Sequence, residues 1–299
     1  MSAGTPNPWT RGRFDARQGP RRLLFGRMYE DAELERAVFA PGGRILCIAS
    51  SGCMAMALSQ HHAVTAVDIN PVQIDYVRER LAGAPMRAGA AERLMQFGRR
   101  LLPLVGWQRE AIEAFLDLDD PTTQARAFDR DFDTRRFRAL VDLGLSFTGL
   151  RVVYSDPLLD ALPPRFGATM RARLRRCIAT HPNRSNEHLR ALLTGVAPDL
   201  AREAQRDAIE LVSGEVSEFL LQGPAARYDG FTFSNILDGA PASLRAQLAR
   251  ALRHAARPGA RVILRSFADP QNPEQAQAAS RDRSVLWGRI EVGMAAEFG

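Results

Sequence analysis

The sequence contains no lysine: all 40 of its basic residues are arginine. That absence removes Schiff-base enzymes, those using pyridoxal phosphate among them. It also removes the P-loop, whose phosphate grip needs a lysine. Arginine used alone, in place of a near-equivalent surface cation, reads as coding bias, so the net charge of +6 carries little weight as a sign of nucleic-acid binding. No nucleic-acid partner is expected. Cysteine is scarce as well, with Cys47, Cys53 and Cys177 an odd number best read as buried apolar residues. Neither His61-His62 nor the group Cys177, His181 and His188 has zinc-site spacing, and no metal is expected. No run approaches the ~18 apolar residues of a membrane span, and the N-terminus lacks a signal-peptide apolar region. A cytoplasmic protein is expected. A G-x-S-x-G nucleophile elbow is missing too.

What is present is 45% hydrophobic content over 299 residues, enough for one large domain or a domain with an insertion. The organising stretch runs from Arg44 to Leu81. Ile45 to Ala49 is a short apolar run suited to a buried parallel strand, broken by the turn residues Ser50-Ser51-Gly52. A helix follows through Ala55, Met56 and Leu58. Val64 to Val67 is a second apolar run ending at Asp68, after which Asn70-Pro71 supplies an N-cap and a first-turn proline. This is a βαβ unit with a carboxylate at the tip of its second strand. In such sheets ligands sit beyond the carboxyl ends of the strands, and an acid near this spacing binds a ribose diol. Asp68 lies 16 positions beyond Gly52. The full G-x-G-x-x-G of dinucleotide sites is absent; S-adenosylmethionine (SAM), which has a ribose and no phosphate, suits the single glycine better than NAD.

Residues 1–22, with five arginines among prolines and glycines, read as a loose basic arm. In the segment that follows, Tyr29, Leu34 and Val38 share a helical face, and Glu30 and Asp31 are predicted in its first turn, favourable against the helix dipole. Residues 86–206 are mostly helical in period and interrupted by prolines, which predicts a helical insertion over the nucleotide site. Within it Met170, Leu174, Cys177 and Ile178 form an apolar stripe beside Arg171, Arg173, Arg175 and Arg176, predicting a core-facing helix with a solvated basic side. Strands resume at Ala208. AIELVSGEVSEFL gives a third strand with a turn at Ser213-Gly214 and Glu215 near a helix start, where an adenine could be met. YDGFTFSNILD gives a fourth ending in Ser234-Asn235, RVILRSF a fifth, and SVLWGRIEV could be the last. Strands alternating with helices predict an α/β fold, a doubly wound, mostly parallel sheet.

The segments YEDAELERAVF, ILCIASSGC, VDINPVQ, SNEHLRALLTG, SNILDG and DRSVLWG together resemble the BtaA-like 3-amino-3-carboxypropyltransferases, SAM-dependent proteins of class I methyltransferase fold. The likeness runs from about Leu23 to Gly288. It implies a Rossmann-like SAM-binding domain over 23–85 and 207–299, with the helical insertion at 86–206 covering the active site. It implies SAM as substrate, attack on its γ-carbon and release of methylthioadenosine. Family members similar to this chain build the homoserine ether head group of betaine lipids from diacylglycerol. Where they show a glutamine and a tryptophan, this chain has Arg27-Met28-Tyr29, which leaves the acceptor open.

The SAM sulfonium bears three carbons, and whichever faces the nucleophile decides the product. For γ-carbon attack the aminobutyrate arm must be held: by the helix N-terminus after Gly52, with Arg27 as a second clamp. Tyr29 or Tyr154 could face the sulfonium. Ser50, Ser51, Gly52, Asp68, Ile69, Gly214, Glu215, Ser234 and Asn235 complete the expected SAM site. A hydroxyl acceptor must lose a proton, and Tyr29, Glu30, Asp31, His188 and Asp238 are the candidate catalytic residues. Three readings stay open. The acceptor is a diacylglycerol-like hydroxyl, with a peripheral membrane contact, or SAM's own amine, which closes azetidine-2-carboxylate and needs no partner. The chain is an ordinary methyltransferase, although Ser234-Asn235-Ile236-Leu237 stands where an N-P-P-Y signature would be. Or it binds SAM or RNA without catalysis.

Overall fold

The computed structural model describes residues 19–146, 148, 150 and 159–299. Six strands form one sheet: β1 (Arg44–Ile48), β2 (Ala63–Asp68), β3 (Ile209–Ser213), β4 (Tyr228–Phe233), β5 (Ala256–Ser266) and β6 (Arg289–Met294). Their order is β3-β2-β1-β4-β5-β6. All neighbours are parallel except β5 and β6. The final predicted strand is thus the antiparallel edge, with Arg261 opposite Met294 and Ser266 opposite Arg289.

The alternation of side chains along each strand splits the core into two layers. Ile45 and Cys47 face α1 (Glu33–Val38), α2 (Cys53–Leu58) and α12 (Pro273–Arg281) through Leu34, Met54, Leu58 and Ala279. Leu46, Phe231, Phe233 and Val262 face the other way, onto α10 (Val216–Gln222) and α11 (Ala242–Ala255). Both faces are covered by helices, which is why the strands read as continuous apolar runs. α3 (Pro71–Leu81) begins as its sequence predicts: the Asn70 side chain accepts from Val72 N, and Pro71 fills the first turn.

Residues 86–206 carry α4 (Ala90–Leu101), α5 (Arg109–Leu116), α6 (Pro121–Ala127), α7 (Arg135–Gly144), α8 (Phe166–Thr180) and α9 (Glu187–Thr194) among the described residues. They enclose their own core around Trp107, Phe115, Phe128 and Ile178, with Val285 of the chain's C-terminal part joining it. On α8 the predicted stripe holds: Leu174, Cys177 and Ile178 are buried and Met170 packs beside them. Arg173 departs from the predicted basic side. It is buried, and its guanidinium donates to the carbonyls of Leu286 (2.8 Å) and Phe267 (2.8 Å), tying the helical segment to the two ends of the connection between β5 and β6.

Glu30 and Asp31 differ from expectation in place. α1 starts at Glu33, with Ala32 at its N-cap, so both acids lie before the helix, on an irregular strap formed by residues 23–31. The Asp31 carboxylate still accepts from Glu33 N (3.2 Å), but its strongest bonds go elsewhere.

Candidate active site

The strand order turns back at β1: the chain passes outward through β2 and β3, then returns to β4 on the other side of β1. Crevices beyond the carboxyl ends at such a point are where open α/β sheets take ligands. A cleft of about 900 Å³, its open mouth included, lies there. Its floor is Ser50 after β1, Asp68, Ile69 and Asn70 after β2, Gly214 and Glu215 after β3, and Ser234 and Asn235 after β4. Ile236, Leu237, Leu244 and Leu248 give an apolar wall, and Leu24 and Phe25 of the strap close the other side. Of the expected SAM-site residues, Ser51, Gly52 and Arg27 are the ones that do not line it. Among the described residues, none of 86–206 does either.

The turn after β1 is fixed by its backbone. Ser50 sits at φ 44° and Gly52 at φ 82°, and Gly52 N donates to Ala49 O (2.6 Å). A Cβ on Gly52 would come within 2.7 Å of Val77, so only glycine fits. Ser51 gives its carbonyl to Arg80 (2.8 Å). Ser51 and Gly52 therefore shape the turn, while Ser50 faces the cleft. Asp68 locks the turn from the next strand: its carboxylate accepts from Ser50 N and Asn70 N, both at 2.8 Å. Burial lifts this carboxyl to about 6, against the two N–H donors that favour its charged form. Two of its four lone-pair directions remain for a ligand diol.

Gln73 joins the turn to the strap. Its side-chain oxygen accepts from Leu24 N (2.7 Å) and Phe25 N (3.2 Å), and its amide donates to Phe25 O (3.1 Å) and to Ser50 O. Glu92, at the start of α4, holds the next residues by accepting from Gly26 N (2.7 Å) and Arg27 N (3.0 Å). The strap is thus built into the site edge for edge.

Beyond Phe25 the strap carries Arg27, Tyr29, Glu30 and Asp31. The Arg27 guanidinium lies 5.9 Å from the Tyr29 ring centroid, and its Nε has no hydrogen-bond partner. Tyr29 is buried, its phenol pushed up by burial and by Glu92 and drawn back by Arg99 and Arg27. Arg99 comes from α4. Glu30 Oε1 is buried without a partner. Burial raises the Glu30 carboxyl; Arg265 and the Ser234 hydroxyl offset part of that, and the neighbouring acids Glu35 and Asp282 add to it. Ser234, whose hydroxyl acts on this carboxyl, belongs to the floor of the cleft.

Asp31 and His188, 157 positions apart in sequence, come together. His188 Nε2 lies 3.6 Å from Asp31 Oδ1, while its Nδ1 is buried and unpartnered. Arg283 grips Asp31 from the C-terminal side through Nε (2.5 Å) and Nη2 (2.7 Å). Burial works to raise the Asp31 carboxyl, yet Arg283 and His188 outweigh it and hold it well below the usual carboxylate range. An acid held ionised this way is a poor proton acceptor. Asp238 is committed as well, accepting from Ser266 Oγ (2.6 Å) and Phe267 N (2.9 Å), with its carboxyl raised by burial. Glu215 lines the cleft and also caps α10, accepting from Glu218 N (2.8 Å). Tyr154 lies outside the described residues, as do residues 1–18 of the basic arm; Arg21 of that arm donates to Ile69 O (2.8 Å) at the cleft's edge.

Several residues that matter here gave no motif. Arg265 is completely buried, paired with Glu35 (2.5 Å) and Asp282 (3.1 Å), and donates to Asp31 O (3.2 Å). Gln73, Arg99 and Arg283 were equally silent. The signal available for Gln73 was a polar residue on the inward side of α3, at the third position of a well-capped helix.

Cys47, Cys53 and Cys177 are free and buried. Among the described residues no group of three or more His, Cys, Asp or Glu side chains is placed to hold a metal ion, and no helix is long and apolar enough to cross a membrane. No family model matches the chain, and no curated protein matches it at a significant level.

Proposed function

We propose that the chain is a SAM-dependent enzyme of class I methyltransferase fold in which a nucleophile attacks the γ-carbon of SAM and releases methylthioadenosine. The observation that carries this reading is the division of the site. An apolar cleft with a carboxylate at the tip of β2 lies at one end, and a strap with unpartnered polar atoms on Arg27 and Glu30 lies at the other. Asp68 suits the ribose diol, and the Ile236–Leu248 wall suits the adenine. The arm beyond the sulfur then points toward Ser234 and Glu30.

The chemistry asks little more of the protein than placement. The nucleophile's lone pair forms a bond to the γ-carbon, the bond from that carbon to sulfur breaks, and its electrons neutralise the sulfonium. The nucleophile's proton goes to a base. Glu30 is suited to take it, since burial raises its carboxyl and one oxygen has no partner, whereas Asp31 is held by Arg283. The acceptor is SAM's own amine, giving azetidine-2-carboxylate, or a diacylglycerol-like hydroxyl.

Mass spectrometry of the protein incubated with SAM, alone and then with diacylglycerol in detergent, tests the proposal. Methylthioadenosine with a four-membered amino acid in the first sample identifies the cyclase, and methylthioadenosine only with lipid identifies the transferase. S-adenosylhomocysteine in either sample sinks γ-carbon attack and leaves the methyltransferase reading.

A further inference from the structure

Arg27 is the anomaly of the site. It is 5% exposed, and its guanidinium donates to no carboxylate, carbonyl or hydroxyl among the described residues; the Tyr29 ring lies beside it. A buried cation without an anion costs several kcal/mol. Glu92, the carboxylate that accepts from the Arg27 backbone, is spent on the N–H groups of Gly26, Arg27 and Gly89. Three residues on, Glu30 presents the opposite defect, a buried carboxylate oxygen without a donor. Its surroundings hold an excess of negative charge, because Arg265 is already shared between Glu35 and Asp282.

We propose that Arg27 and Glu30 are the two poles of a subsite for a zwitterionic α-amino acid group, Arg27 taking the carboxylate and Glu30 the ammonium. Three residues span at most about 11 Å of backbone, a gap that two long side chains and an amino-acid group close between them. Arg99, whose charge draws the Tyr29 phenol down, lends a second positive charge from the helical segment. The subsite rests on the SAM reading and sharpens it: SAM is held by its amino-acid end as well as by its nucleoside.

The test uses calorimetry on the full chain with four probes: SAM, methylthioadenosine, decarboxylated SAM and deaminated SAM. In Arg27→Met, affinity for SAM and deaminated SAM falls roughly 10- to 100-fold, the range for a lost charge-assisted hydrogen bond, while decarboxylated SAM and methylthioadenosine bind as before. In Glu30→Gln the pattern is crossed: SAM and decarboxylated SAM weaken, deaminated SAM and methylthioadenosine do not. Thermal melting guards against misfolding, since removing an uncompensated buried charge leaves Arg27→Met melting at or above the wild type. Variants that bind SAM normally, or lose all four probes equally, overturn the subsite and leave SAM binding standing. A wild type that binds methylthioadenosine but not SAM also overturns it. A wild type that binds none of the probes overturns the SAM reading, and the subsite with it.

Discussion

Asp68 does two jobs that pull in opposite directions. It receives two backbone N–H groups, which favour its charge, and it is buried, which opposes it, leaving its carboxyl at about 6. A folded-state value raised above the usual 3.8 means that its contribution to stability is present below pH 3.8 and lost as pH rises through about 6. Ligand binding has the reverse sign, since a diol donates to the ionised form. SAM affinity is therefore expected to fall as pH drops through about 6. In Asp68→Asn it is weaker by ~1.5 to 3 kcal/mol at pH 8 and flat across that range, as titration calorimetry at several pH values would show; a wild-type affinity independent of pH removes Asp68 from the site. This residue was legible in the sequence because strand, turn and acid fall within 25 positions. Arg265 and Arg283 were not. Their partners Glu35 and Asp31 lie 230 and 252 positions away, and no local spacing reports a pair closed only by the fold.

At the scale of elements, the βαβ unit and its neighbours were readable because each strand is a short apolar run closed by turn residues. The strap was not. Glu30 and Asp31 sit just ahead of a helix and carry the charge that favours its first turn, yet Arg265 and Arg283 bond Asp31 in an irregular path outside it. α1 is anchored to the sheet by the pair Glu35–Arg265, both completely buried. Glu35→Gln leaves that guanidinium partly uncompensated and is expected to cost ~3 kcal/mol. Chemical denaturation reads it, and a loss within ~0.5 kcal/mol, the size of an ordinary surface substitution, would mean that Asp282 suffices. Gly52→Ala tests the turn, where φ 82° and Val77 leave no room for a methyl group. A loss of ~1 to 3 kcal/mol is expected from strain, and SAM affinity falls with it because Ser50 moves. Unchanged stability would show that the turn relaxes.

Over the whole molecule, the doubly wound sheet supplies the cleft, and the helical segment meets the site from beside it, lending Arg99 and His188 to the strap. The sequence pattern predicted a helical cover. The described cleft walls come from the sheet's loops and the strap, because the segment keeps its own core around Trp107 and docks against the connection between β5 and β6 through Arg173. A ligand that bridges cleft and strap ties these parts together, so SAM at 100 times its dissociation constant should raise stability by ~2.7 kcal/mol. The measurement that tests the central claim most directly is turnover of SAM carrying a ¹³C label on its methyl group. Attack on the γ-carbon predicts that all of the label stays on the released nucleoside as methylthioadenosine. Label found on an acceptor, with unlabelled S-adenosylhomocysteine beside it, would contradict the account.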